Sequence, residues 1–220
     1  ATVVEAVESE TPTGMISHAS RSDSVQYANL LTLGKSGNPD YPGDELFIKM
    51  SGHKLYIYAI NTVPGVVKES IEKAGLYLSD IKKVFIHQAN EKMDEAILSG
   101  IFKLYREKNI PEGLMPMTIK KLGNSSTATV PTVIDLVLKG KLEGHEVHPG
   151  DYTIFCSVVV GININSIVYK WYTYSTKRIE TGLFTLTCTG FKSLKFFTLM
   201  EIIYLVTGIV IVVITAFLYI

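Results

Sequence analysis

The side chains best suited to chemistry in this sequence sit in two short loops. His87-Gln88-Ala89-Asn90 follows the apolar run Ile81 to Ile86, and Gly123-Asn124-Ser125-Ser126 precedes a stretch of small and apolar residues. In a layered α/β sheet, the carboxyl end of a strand and the start of a helix are where reacting groups gather. Each loop alone also has an ordinary structural explanation. The histidine could be a hydrogen-bonded group at a strand end, and the asparagine a turn residue or helix cap.

Other candidates carry less. Cys156 lies inside the apolar run Tyr152 to Val160, where a thiol behaves as a small hydrophobe. Together with Cys188 it makes neither a disulfide framework nor a metal cluster, and a cytoplasmic setting is the expectation. His18 and His53 fall in connecting segments, while His145 and His148 flank a turn before Pro149-Gly150 and read as solvated loop rather than a metal site. Lys+Arg and Asp+Glu each total 21, so no global basic field points to nucleic acid.

The elements that must position the loops follow from periodicity. Thr2 to Val7 and Leu46 to Met50 read as strands, with Ser9 to Pro42 between them a long connection holding short ordered pieces. Leu55, Tyr58, Ala59, Val63, Val66, Val67, Ile71 and Ala74 recur at helical spacing over residues 54–74. Pro64 should bend or interrupt that helix, and Gly75 should end it. Ile81 to Ile86 is a strand, and residues 91–107 a helix with Met93, Ile97, Ile101 and Leu104 on one face. A short extended piece at Met115 to Ile119 precedes a third helix, opened by Gly123-Asn124-Ser125-Ser126 and running to about Lys139. Tyr152 to Val160 and Ile162 to Tyr169 pair as strands through a Gly161 turn. Helices alternating with apolar strands predict an α/β layered domain, its strands buried on both faces.

The order of these motifs resembles one family, β-ketoacyl-acyl-carrier-protein (ACP) synthase III. The resemblance rests on Ile86-His87-Gln88-Ala89-Asn90, on Leu122-Gly123-Asn124-Ser125-Ser126-Thr127-Ala128-Thr129-Val130-Pro131, on residues 49–56 and on the closing residues 161–169. It implies the C-terminal half of a thiolase-like fold over residues 1–170, with a mixed β-sheet flanked by helices. It also implies an acyltransferase that condenses acyl-CoA with malonyl-ACP, with decarboxylation, in fatty acid biosynthesis. No cofactor beyond those substrates is implied. His87 and Asn124 match the family's two donors to the malonyl thioester oxygen. Lys92 matches a basic position associated with carrier-protein docking, and Val160 and Gly161 fall in its oxyanion-hole turn.

Departures accompany the match. The family's nucleophilic cysteine belongs to an N-terminal half that this sequence lacks, so the chain alone is expected to be inactive and to need that half as a partner. The family's homodimer is a further expected partner. The turn reads Ser157-Val158-Val159-Val160-Gly161, with β-branched residues at two normally small positions. Farther along the helix after His87, Ser99-Gly100 stands where relatives tend to carry basic residues, which predicts weaker steering of the carrier.

The resemblance stops near Lys170. Residues 171–197 show no clear period, and Ile202 to Ile220 is uncharged and long enough to span a bilayer core. Residues 198–220 are therefore expected to be either a membrane anchor or a non-native continuation of a broken reading frame. The start, Ala1-Thr2-Val3, carries no secretory signal and reads as a chain entered partway through a strand. Completion by a separate N-terminal subunit, and a non-catalytic membrane-tethered binding module, are the alternative readings.

Overall fold

A computed structural model describes residues 11–159 and 162–172. The predicted strand at residues 2–7, the Val160-Gly161 turn, Cys188 and the apolar run at 202–220 lie outside the described residues. Among the described residues no helix is long and apolar enough to cross a membrane.

Four strands form one mixed sheet. β1 (Gly14–Ser22), β4 (Ile81–Ile86), β5 (Tyr152–Val159) and β6 (Asn163–Lys170) lie in the order β1-β6-β5-β4. β4 and β5 are parallel, with Ile86 opposite Cys156, while β6 runs antiparallel to both β5 and β1. Alternation then sorts the side chains. Val84, Ile86, Ile154, Cys156, Ile164 and Val168 enter one apolar cluster; Phe85, Phe155 and Ile167 enter the other. The first cluster is closed by α2 (Gly52–Lys73) and α3 (Glu91–Leu104), the second by α5 (Thr129–Leu138). Both faces are covered, as continuous apolar strands require.

β1 was not expected within the predicted connection at residues 9–42. Its only buried apolar residue is the small Ala19, and a bulge between Met15 and Ser17 breaks its alternation. Polar contacts hold it instead. Ser17 Oγ donates to the Ser70 carbonyl at 2.6 Å, and the buried Ser70 and Ser166 hydroxyls meet at 2.7 Å, tying α2 to β1 and β6. The short helix α1 (Ser24–Tyr27) follows β1. The ribbon β2 (Leu31–Gly34) pairs antiparallel with β3 (Phe47–Met50), leaving Leu33, Ile48 and Met50 exposed.

α2 passes Pro64 as one helix of 22 residues and ends at Gly75, whose φ is 69°. The uninterrupted course has a local reason. Proline cannot bond the Ile60 carbonyl, and α3 crosses at that point with Gly100. A Cβ on Gly100 would stand 2.7 Å from Pro64 Cγ and 3.6 Å from the Ile60 oxygen. Gly100 is thus a point of close helix approach. Gly100→Ala should destabilise the chain by about 1–3 kcal/mol through overpacking, despite alanine's better helix propensity. Urea unfolding checks it, and a variant as stable as the parent refutes the contact.

At the sheet's carboxyl end Ile162, 1% exposed, has φ 57°. A β-branched residue in the left-handed region costs on the order of 1–3 kcal/mol and persists only where its surroundings fix it.

Candidate active site

The hydrogen-bond ladder of β4 continues past its last residue, because the His87 N–H donates to the Cys156 carbonyl at 2.9 Å. The central strand β5 therefore places His87. Gln88 turns inward with no exposed surface. Its Nε2 donates to the Pro116 carbonyl at 2.8 Å, and its Oε1 accepts from the Thr118 N–H at 2.8 Å and hydroxyl at 3.1 Å. These bonds tie the end of β4 to the chain entering α4 (Ile119–Leu122), in place of the predicted extended piece. Asn90 caps α3, its Oδ1 accepting from the Lys92 N–H at 3.0 Å and the Met93 N–H at 3.4 Å. Gln88→Leu, of similar size, should cost about 1–3 kcal/mol for each backbone group left buried and unpaired. Urea unfolding measures this loss, and an unchanged midpoint would count against the tie.

The second loop begins where α4 ends, at Gly123 with φ 66°. Asn124 Oδ1 accepts from the Ser126 N–H at 2.8 Å. The asparagine oxygen is thereby committed, and its amide nitrogen is the end left to donate. Ser126 has φ 53°, so the predicted third helix does not run from Gly123; α5 starts at Thr129, with Pro131 in its first turn, where the missing N–H is tolerated. Burial lowers the His87 pKa below its usual 6.5, and the Ser126 backbone opposes the shift, short of hydrogen-bond geometry. His87 is half-buried and Asn124 exposed.

An open groove of about 490 Å³ lies beside them, lined by Ala89, Asn90, Glu91, Lys92, Ile119 and Lys120. Neither His87 nor Asn124 lines it. The exposed Lys92 does, and Lys120 crosses to Glu91 at 2.8 Å. Val160 and Gly161, predicted for the oxyanion turn, lie outside the described residues.

Two buried acidic groups complete the surroundings. Burial pushes the Cys156 thiol up to about 12. Asp94 has no exposed surface, and neither of its carboxylate oxygens finds a hydrogen-bond partner among the described residues. Its pKa rises to about 8, chiefly by burial and further by Glu95 and Glu91. The nearby Ala89 N–H pulls the other way, short of hydrogen-bond geometry. Sequence reasoning passed over Gln88 and Asp94. Asp94 had a legible signal, a carboxylate three and seven positions before Ile97 and Ile101 on the apolar face of α3.

Residues 71–171 match the family described as 3-oxoacyl-[acyl-carrier-protein] synthase III C terminal. They hold both loops and the strands that carry them. The described chain has a FabH-like thiolase fold over this region. β-Ketoacyl-ACP synthase III of Lactobacillus helveticus is 26% identical over 146 residues, 64% of this chain and 41% of that protein. The synthase III of Porphyra umbilicalis is 28% identical, over 69% of this chain and 41% of that protein. The chain thus spans about two fifths of the length of these curated relatives. Among solved structures, FabH from Pseudomonas aeruginosa superposes with a TM-score of 0.61 at 18% identity, covering 76% of this chain and 47% of that one. The FabH-like fold accounts for the mixed sheet with helices on both faces.

Proposed function

We propose that this chain contributes the donor half of a condensing site, in which His87 and Asn124 stabilise the enolate oxygen formed as a malonyl thioester loses carbon dioxide. The observation that carries the reading is the turn at Asn124, whose Oδ1 accepts the Ser126 N–H, together with His87 held at the end of β4 by the Cys156 carbonyl. With its oxygen occupied, Asn124 offers its amide N–H; the depressed pKa keeps His87 neutral at pH 7, with a single ring N–H. Donors held before the charge develops lower the barrier without reorganising. The acyl group is carried by a cysteine outside the described residues, since an activated thiolate is required and Cys156 is buried with its thiol pKa at about 12. The substrates are an acyl-CoA and malonyl-ACP, the reaction belongs to fatty acid biosynthesis, and the setting is cytoplasmic. The carrier docks near the exposed Lys92, Val160 and Gly161 complete the oxyanion turn, and the assembled enzyme is a homodimer.

The full chain alone should form no acyl adduct with radiolabelled acyl-CoA. Mixed with the separately produced N-terminal region of a related synthase III, it should decarboxylate malonyl-ACP. A stoichiometric adduct on Cys156 would overturn the assignment, as would a mixture with no activity despite forming a stable complex.

A further inference from the structure

Three elements converge on Asp23, at the end of the sheet where His87 leaves β4. The Asp23 N–H donates to the Ile162 carbonyl at 3.1 Å. Asp23 Oδ2 accepts from the Tyr58 hydroxyl at 2.8 Å and from Arg21 Nε at 2.7 Å. Tyr58 comes from α2, is 8% exposed, and lies against Tyr27 of α1 with ring centroids 5.1 Å apart. The Arg21 side chain is largely in solvent, where an ion pair contributes little. The shielded Tyr58 bond is the one able to hold Asp23 in place.

What Asp23 holds is strained. Ile162 sits in the left-handed region, buried, immediately before Asn163, which pairs with Ser22 of β1 and Val159 of β5. β5 in turn carries the carbonyl that receives the His87 N–H. A chain of bonds therefore runs from α2 through Asp23 and Ile162 into β5 and His87. Resting on the proposed donor role of His87, we infer that Tyr58 and Asp23 are positioning residues, which hold the β5–β6 reversal at Ile162 and so keep His87 aligned for the reaction. Neither touches a reacting atom. Burial, and then the Asp23 carboxylate beside it, hold the Tyr58 phenol pKa above its usual 10, so the hydroxyl stays a donor across the working range.

Tyr58→Phe tests this in the full chain, because it keeps the ring against Tyr27 and removes only the hydroxyl. Hydrogen exchange should quicken about tenfold at residues 163–166, the loss of one hydrogen bond to a charged group, while Val84, Phe85 and Ile86 keep their protection. In the chain mixed with the synthase N-terminal region, kcat for malonyl-ACP decarboxylation should fall with KM unchanged. Asp23→Asn, which retains an acceptor, should recover most of the rate, and Asp23→Ala should not. Exchange that quickens evenly across the sheet, or not at all at 163–166, overturns the positioning role. If the unmodified mixture forms a stable complex and is still inactive, the proposed function fails, and the exchange pattern still decides whether Tyr58 holds the reversal.

Discussion

Asp94→Asn should make the chain more resistant to urea than its parent at pH 8.5, and should lose that advantage by pH 4. Asp94 is fully buried with neither oxygen hydrogen-bonded among the described residues, and its pKa is raised from 3.8 to about 8. A carboxyl with a raised folded-state pKa favours folding fully below its unfolded value. That contribution fades as pH climbs through the folded value, because the unfolded chain releases its proton first. The window therefore runs from about pH 4 to about pH 8, with the folded state losing at most ~1.4 kcal/mol per pH unit. Across it the cumulative effect is at most about 6 kcal/mol, reduced by whatever relaxation admits water. His87 and His145, whose pKa values are lowered by burial, add a dependence of opposite sign in acid. The difference between variant and parent is accordingly the quantity to follow. Parallel stability curves for the two proteins from pH 5 to 9 would show that Asp94 is not a desolvated carboxyl.

The second large effect concerns the donors. In the chain mixed with a synthase N-terminal region, His87→Ala or Asn124→Ala should each slow malonyl-ACP decarboxylation by on the order of 10²–10³. Asn124→Asp is the more informative change. It preserves the oxygen that accepts the Ser126 N–H, so the loop keeps its turn, yet it replaces the amide donor by an anionic acceptor. Its rate should fall at least as far as that of Asn124→Ala, with unfolding unaltered. Retention of most activity by Asn124→Asp would mean that the turn, not the N–H, is what Asn124 contributes.

The parts of the fold that were legible are those where one physical signal dominates. Ile81–Ile86 could only be a strand buried on both sides, and Tyr152–Val159 with Asn163–Lys170 announced a pair through its apolar run, turn and alternation. β1 was illegible because it is held by Ser17, Ser70 and Ser166 hydroxyls, which look in sequence like a loop. The start of α5 was misplaced by three elements of one loop: Gly123 and Ser126 both adopt positive φ, and the Asn124 turn lies between them. At the site, position marked the loops of His87 and Asn124, but only the resemblance gave them a role, since nothing in their composition separates a donor from a cap. Gln88 stayed hidden for the opposite reason. Its three hydrogen bonds go to residues 116 and 118, and distant backbone partners leave no trace in local sequence.

The burial of Cys156 also gives the chain an internal clock. The thiol lies in the central strand with no exposed surface, opposite Ile86 and one bond from the His87 backbone. A thiol-alkylating reagent can reach it only when β5 parts from its neighbours, so the labelling rate at saturating reagent is the rate of that parting. Peptide mass mapping separates this reaction from any at Cys188. A pulse of reagent thus times how often the strand that seats His87 comes away from the rest of the sheet.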